Sequence, residues 1–431
     1  MNHPKFPVNP ALLLSAFLAV AGTVRADFES NLEKTFPGAP GGRLVVVADR
    51  GAINVTTTDQ NQVAIQVLRQ VKGGTRENAD RLFADHEVKF SQDGSTIRVE
   101  AKSKEARQRH LGGNAPYLEV RYEIAVPQKF SVDLQTAGGG IQVGPALDGD
   151  ATVQTAAGKI ALRTVTGAVH AKDSGGEISV DDAGGAVTAQ TSAGRIVLGR
   201  VGGPVEAKTS GGEIRIGSAG NRVNAQTSAG SIRVQAVRGD LTAVSSGGGI
   251  QVENCGGAVS AKTSAGAVRV RQARGSVDVQ SSGGDVEIND CGGDVVARTS
   301  AGRITLGRIQ GKVEAENSGG SITVAAAQGA VLATSSAGAL SASFTRQPTA
   351  DSRLEVSGGS VTVALPENAG VNLDARTSGG SVTSELPVTI EVTGSPKAGE
   401  LRGKINGGGP TFTLRTSAGN IVVKKLAAEA P

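Results

Sequence analysis

Between Thr155 and the Ser335 repeat, apolar and polar positions recur with a fixed spacing of 18 residues. A marker of the form small-small-(Ala/Gly)-Gly opens each copy at Thr155, Asp173, Thr191, Thr209, Thr227, Ser245, Thr263, Ser281, Thr299, Asn317 and Ser335. The copy Thr191–Lys208 shows the internal order. Positions 6 and 8 are aliphatic, as in Ile160/Leu162, Ile178/Val180 and Ile214/Ile216. Positions 15 and 17 are aliphatic or small, as in Val169/Ala171, Val187/Ala189 and Val223/Ala225. The residues between them are mostly polar, and period-two alternation of this kind is a strand with one buried face. Position 4 is Gly from Gly158 to Gly338, and position 13 is Gly in nearly every copy, with Asn221 as an exception. Both are expected to be turn positions whose backbone a side chain would disfavour, and Asn also tolerates left-handed geometry. Each copy therefore reads strand, turn, strand, turn.

Two short strands bury nothing alone, whereas stacked copies bury a continuous strip. The expected fold is all-β, a β-solenoid (β-helix) of 18-residue two-strand repeats with irregular β caps at both ends. The marker alternates Ala and Gly at position 3 (Ala157, Gly175, Ala193, Gly211), which would also suit a 36-residue coil. Position 5 favours 18 residues. It runs Lys159, Glu177, Arg195, Glu213, so an 18-residue coil puts opposite charges on neighbouring rungs, while a 36-residue coil stacks like on like. Cys255 and Cys291 occupy position 11, otherwise Ala, Val or Ile, and read as buried structural thiols. With 18-residue coils they lie two rungs apart, roughly 9.5 Å, beyond disulfide reach; with 36-residue coils they would be neighbours.

The flanks are less regular. Residues 43–135 hold strand-like runs at Leu44–Val47, Ile53–Val55, Val63–Val67, Ile97–Val99 and Val120–Val126. A short helix is expected near Glu77–Asp85 and an exposed loop near Lys102–Gly113. After Ser335 the marker spacing lengthens to 21, with Ser357-Gly358-Gly359 and Ser378-Gly379-Gly380. A longer insertion, Leu386–Pro410, precedes a last Thr416-Ser417-Ala418-Gly419. The resulting division is 1–26 signal peptide, 27–135 amino-terminal β region and cap, 136–345 regular solenoid, and 346–431 irregular carboxy-terminal repeats and cap. The leader rests on Lys5, an apolar run from Ala11 to Ala21, and a small-x-small site at Val24-Arg25-Ala26. It predicts export to the periplasm, the cell surface or the exterior, with no transmembrane segment after cleavage. The alternative for the same residues is an uncleaved anchor.

Composition narrows the function. The chain has 431 residues, 61 of them Gly, no Trp and only Tyr117 and Tyr122 as tyrosines. The core must therefore be Val, Ile, Leu and Ala. Without Lys5 and Arg25 the chain has 42 basic against 40 acidic residues. That balance, with no basic runs, excludes nucleic acid as an expected partner.

Candidate chemistry is sparse. Asp181-Asp182, and Asn289-Asp290 with Glu287, lie in turns after the first strand, where polar residues are expected in any case. No aromatic platform accompanies them, as a sugar-cleaving site would be expected to show. His86, His110 and His170 are not close in sequence or in matching repeat positions, so no metal site is expected. Gly138-Gly139-Gly140 lacks the Lys-Ser/Thr of a phosphate loop and reads as a turn. The Thr/Ser residues at marker positions 1 and 2 are expected to bond nearby turn backbone. No catalytic, cofactor-binding or metal residues are assigned.

The opening strands, the run Tyr122–Val126 ending in Val126-Pro127, and the recurring Ser-Gly-Gly or Ser-Ala-Gly followed by Ile-x-Val resemble a bacterial putative-adhesin family of unknown function. So does Ala364-Leu365-Pro366-Glu367-Asn368 leading to Asp374–Gly380. The resemblance covers nearly all of the chain after the leader. It implies a β-solenoid-like fold and an envelope setting, sometimes linked to stress signalling, and carries no catalytic residues. The long regular array is a departure from that family. The expected role is an exported envelope or surface protein that binds or scaffolds, with an envelope polymer, a glycan or a protein as partner. The alternatives are a carbohydrate-active enzyme on a β-helix and a self-associating structural envelope protein.

Overall fold

The computed structural model describes residues 27–104, 115–390 and 399–427. The leader, His110, most of the loop expected near Lys102–Gly113 and part of the Leu386–Pro410 insertion lie outside them. Each array repeat makes one coil of two parallel strands. Strands such as Ile160–Val165, Ile178–Ala183 and Ile196–Val201 stack into sheet 1. Strands such as Val169–Lys172 and Val187–Gln190 stack into sheet 2. Ile160 pairs with Ile178 and Ile178 with Ile196, an offset of 18, so one repeat is one coil. Opposite charges do meet on neighbouring rungs: Glu177 lies 3.0 Å from Lys159 and 2.9 Å from Arg195. The Lys159 hydrogen bond is the larger influence holding the Glu177 carboxyl below its ordinary range.

The core is thin and aliphatic because each coil sends only five apolar side chains and one polar one inward. In one coil these are Ile196, Leu198, Val201, Val205, Ala207 and Thr209, all buried. Position 11 points inward after position 8 because the strand turns at positions 9 and 10, where the ladder skips a residue pair. Small apolar residues suit that corner. Cys255 and Cys291 sit there, buried and free, each thiol donating to a glycine carbonyl at 3.3 Å (Gly239 and Gly275).

The inward polar residue is position 1. Thr209 Oγ1 donates to the Gly194 carbonyl of the preceding coil (2.9 Å) and accepts from its own Gly212 N–H (3.2 Å). The same pair of bonds recurs at Thr227, Ser245, Thr263, Ser281 and Thr299. The turn glycines are required here by close approach. A Cβ on Gly212 would overlap the Gly194 carbonyl oxygen, whereas one on Gly211 would meet nothing closer than 3.6 Å. Left-handed geometry is therefore not the general reason for position 4; it occurs at Gly158 (φ 149°) and Gly338 (φ 100°). Asn221 is not left-handed either, and its side chain instead accepts from the Arg222 N–H at 2.7 Å.

Both ends depart from sequence order. The first coil, Gly42–Ala48 with Ala52–Thr58, is inserted between the coil Thr96–Ser103/Tyr117–Pro127 and the coil Phe130–Thr136/Ile141–Leu147. At the other end, Thr411–Ala418 and Ile421–Lys425 lie between Ser352–Gly358/Val361–Leu365 and Val371–Thr377/Val382–Ser384. The Thr416 marker is thus not the last rung. Its hydroxyl donates to Gly359 O (2.7 Å), and Thr377 in turn donates to Gly419 O (2.8 Å). Antiparallel strands cover the terminal rungs: Gln62–Lys72 with Phe28–Pro37 on sheet 1, His86–Asp93 on sheet 2, and Glu400–Ile405 at the far end. Covering them limits the open backbone that would pair with other chains. The expected helix is present as Arg76–Asp85, capped by Thr75, whose side chain accepts from Asn78 N–H.

This packing sets three expected outcomes. Thr227→Val keeps the shape but leaves two half-buried backbone groups without this partner; it is expected to cost about 1–3 kcal/mol in urea unfolding, while Thr227→Ser stays close to the parent. Gly212→Ala is expected to cost at least about 1–3 kcal/mol, against at most about 0.5 kcal/mol for its neighbour Gly211→Ala. Mass spectrometry of the non-reduced, unfolded protein should show both thiols alkylated, and a Cys255–Cys291 bridge would contradict the coil size.

Candidate functional site

The ladder of sheet 1 shifts register near each end of the array, between Leu162 and Thr164 and between Val324 and Ala327. Between Thr136 and Thr155 the repeat holds 19 residues instead of 18. The extra residue is accommodated at Gly144-Pro145, opposite Arg163, where the ladder shifts between Leu162 and Thr164. Such a bulge re-aims side chains and interrupts the flat face. The interruption opens a groove of about 630 Å³ lined by Asn54, Gln142, Pro145, Arg163, Thr164 and Asp181, among others. Gly144 leaves room for the Arg163 stem: a Cβ there would come within 2.9 Å of its Cγ. Arg163 reaches Asp181 at 3.7 Å, and both side chains remain mostly exposed (75% and 57%). Asn54 donates to Glu123 at 2.8 Å. The groove offers amides, hydroxyls and one guanidinium–carboxylate pair on a rigid base, which is hydrogen-bonding rather than bond-breaking chemistry.

A second groove of about 590 Å³ lies on the outward face of sheet 2, near the far end, with Glu314, Glu316, Asp351 and Arg353 among its lining residues. Its acids are already engaged. Arg298 binds Glu314 (2.8 Å) and Glu316 (3.1 Å), and Asp351 accepts the Thr411 N–H (2.7 Å).

The acidic residues singled out in the sequence are distributed the same way. Asp181 faces Arg163, Asp182 binds Arg200 at 2.7 Å, Glu287 lies 3.3 Å from Arg269, and Asp290 3.9 Å from Arg308. Each partner is one coil away. Asp182 and Asp290 stand six coils apart in sequence, about 29 Å at the spacing of paired strands, so the two acidic groups do not form one site. Gly138–Gly140 is a ladder turn, with Gly138 N–H donating to Thr136 Oγ1 at 3.3 Å. His170 is exposed on sheet 2 and His86 is buried in the amino-terminal cap. Among the described residues no three His, Cys, Asp or Glu side chains converge as metal ligands would.

One cluster was not anticipated. His86, Asp49, Arg50, Arg69, Ser103 and Tyr122 meet inside the amino-terminal cap. Arg69 occupies an inward position of strand Gln62–Lys72, in phase with Val63, Ile65, Val67 and Val71. Its guanidinium bonds Phe83 O (3.0 Å), His86 O (3.2 Å) and Ser30 Oγ (2.7 Å). It thus satisfies carbonyls at the end of the helix, where a cation is favoured. Asp49 accepts the Ser103 N–H at 2.9 Å. Burial pushes the His86 imidazole below its ordinary range and the Tyr122 phenol above its own. The visible signal was a charged residue in the apolar phase of a strand.

Several solved structures resemble the chain at low identity. A putative cell adhesion protein from Clostridium sporogenes shares 10% identity, with 93% of this chain and 100% of that chain covered and a TM-score of 0.19. A putative adhesin from Bacteroides fragilis shares 13%, covering 61% and 97%, with a TM-score of 0.25. A putative lipid binding protein from Parabacteroides distasonis shares 9%, covering 92% and 97%, with a TM-score of 0.16. At these scores none of the three bears on what this chain binds. No curated protein matches the sequence. Residues 44–293 and 303–424 match the model of the Toastrack DUF4097 family, and the chain belongs to that family.

Proposed function

We propose that this is an exported envelope or surface protein that binds an extended, hydroxyl-rich polymer, such as a glycan strand, through the bulge groove on sheet 1. The observation that carries the reading is the groove itself. It is open, rests on stacked strands, and presents Asn54, Gln142 and Thr164 beside the Arg163–Asp181 pair. Amides and hydroxyls match alternating donors and acceptors, and the ion pair adds direction without net charge. An open groove beside a flat face also lets a chain enter and leave along its length. In this reading residues 27–135 and 346–431 are caps of the same stack, 136–345 is the display surface, and 1–26 is a removed leader.

The acids along sheet 1 favour binding over turnover. Each of the candidate carboxylates is matched by an arginine one coil away, whereas glycoside cleavage needs two carboxyls facing each other across about 5–10 Å of substrate.

The test is a panel of glycans and envelope polymers applied to the mature protein, with product release measured in the same wells. Asn54→Ala combined with Gln142→Ala should weaken retention of the bound polymer at least about tenfold, the worth of roughly one hydrogen bond, with the melting temperature unchanged. Unchanged retention in that variant removes the groove from the function. Product release abolished by Asp181→Asn or Asp290→Asn would make the protein an enzyme. Assembly that rises with concentration in the absence of polymer would favour a structural role.

A further inference from the structure

The buried polar cluster in the amino-terminal cap does not belong to the groove, and nothing in polymer binding requires it. Five segments converge on it. Asp49 and Arg50 follow the strand Gly42–Ala48, Arg69 comes from Gln62–Lys72, and His86 follows the helix Arg76–Asp85. Ser103 ends the strand Thr96–Ser103, and Tyr122 lies on Tyr117–Pro127. His86 is 1% exposed and Tyr122 fully buried. Among the described residues, neither ring nitrogen of His86 has a hydrogen-bond partner, and the same is true of the Tyr122 hydroxyl, Ser103 Oγ and Asp49 Oδ1. Unpaired polar atoms in a core that is mostly apolar, with Phe130 the large side chain of the neighbouring coil, cost stability. A cluster of them is a weak point in the cap.

We propose that His86 is an acid-responsive latch: as a neutral imidazole it lets the five segments close on one another, and its protonation loosens the helix and hairpin of residues 76–103 from the end of the coil stack. The charges around it explain why a proton is not simply absorbed. Asp49 Oδ1 is 3.8 Å from His86 Nε2, too far for a hydrogen bond. The other Asp49 oxygen already takes the Ser103 N–H and faces Arg50 at 3.7 Å. Asp49 and Asp85 favour the imidazolium, while Arg69 and Arg50 oppose it. These charges act in both directions, and loss of water on burial is the largest single influence.

The direction in pH follows. The folded imidazole gives up its proton more readily than the ordinary value of 6.5, and burial is the main cause. Above about 6.5 the group is neutral in both the closed and open cap and contributes no pH dependence. As pH falls below that value, the open cap takes up a proton that the closed cap resists, so opening becomes easier until the closed form also protonates. Opening would uncover Leu82, Phe83, Val88 and Phe90, which pack partly buried on the core. Together with Phe28 and Phe36 these place four of the chain's nine Phe residues at this one end.

Hydrogen exchange of the mature protein, compared as protection factors at about pH 7.5 and about pH 5.5, tests this. Residues 76–103 should lose protection by up to about tenfold per pH unit below 6.5, the limit for one proton, while the strands from Ile160 to Phe344 keep theirs. His86→Gln cannot take the proton and should abolish the difference. A cap whose protection does not change with pH, or changes equally in the Gln variant, refutes the latch. If that variant fails to close the cap, an NMR titration of the parent decides instead. With His110→Gln and His170→Gln used for assignment, a His86 midpoint at or above 6.5 would overturn the proposal, and one clearly below it would support it.

Discussion

The structure depends on one paired hydrogen bond, repeated up the stack. The position-1 hydroxyl gives its proton to a glycine carbonyl of the coil below and receives the N–H of the glycine three residues on. Both backbone groups are at a turn, where no strand partner reaches them, and both are half-buried beside a buried hydroxyl, so leaving either unpaired carries a cost. The interaction explains several features together. The residue must be short, because it turns inward beside Ala or Val. It must carry a donor and an acceptor, which selects Thr and Ser. Asn317 satisfies the same demand with its amide, donating to Gly302 O at 2.7 Å and accepting from Gly320 N–H at 3.1 Å. Asp173 meets only half of it, accepting from Ser174 (2.7 Å) and Gly176. The turns must stack closely for the bond to form, and that closeness excludes a Cβ from position 4.

A scaffold of this kind constrains what the protein can do. Its interior is filled by one thin, mostly aliphatic layer of side chains per coil. Many of its outward charges pair along the stack. Glu213 is approached by both Arg215 and Arg233, and Glu177 by both Lys159 and Arg195. Exposed pairs of this sort add little stability. Their effect is to keep the faces close to neutral and hydrogen-bonding. The repeat is broken at few places, and the added residue at Gly144-Pro145, beside the groove of the proposed function, is one of them on sheet 1.

The array was legible in the sequence because every coil is a local object. Ile160, Leu162, Val169 and Ala171 report the two buried strands within a dozen residues, and the charges at position 5 were enough to choose the coil size. The requirement for glycine was legible, but its cause was not. Spacing cannot distinguish a residue needed for its dihedral angles from one pressed against the next turn. The ends were legible as strands and illegible as topology. Nothing near Thr416 states that it will insert beneath Thr377 on Gly359, since that choice rests on contacts some 40 to 60 residues away. The groove had a signal, the 19-residue interval before Thr155, which is apparent only when the ladder is extended back to Thr136. The cap cluster had one too, in Arg69 standing two residues beyond Val67 in the apolar phase of its strand.

It is consistent with this physics that the titratable cluster lies in a cap and not in the array. Inside the array each coil is held by neighbours on both sides, so a local opening must break two sets of strand pairings and two sets of turn bonds. A terminal segment breaks one. The hairpin His86–Ser103 is strand-paired to the stack on one side, through Thr96–Ser103 on Gly42–Ala48, with Val88 and Phe90 packed against the core. Its helix rests on the stack through Ala79, Leu82 and Phe83, and Arg69 bonds the carbonyls at its end. A single protonation is too small to pull neighbouring rungs of the array away from each other, but it is comparable to what holds a segment attached on one side. A chain that repeats one rigid solution through its middle can therefore respond to its surroundings only where the repetition stops.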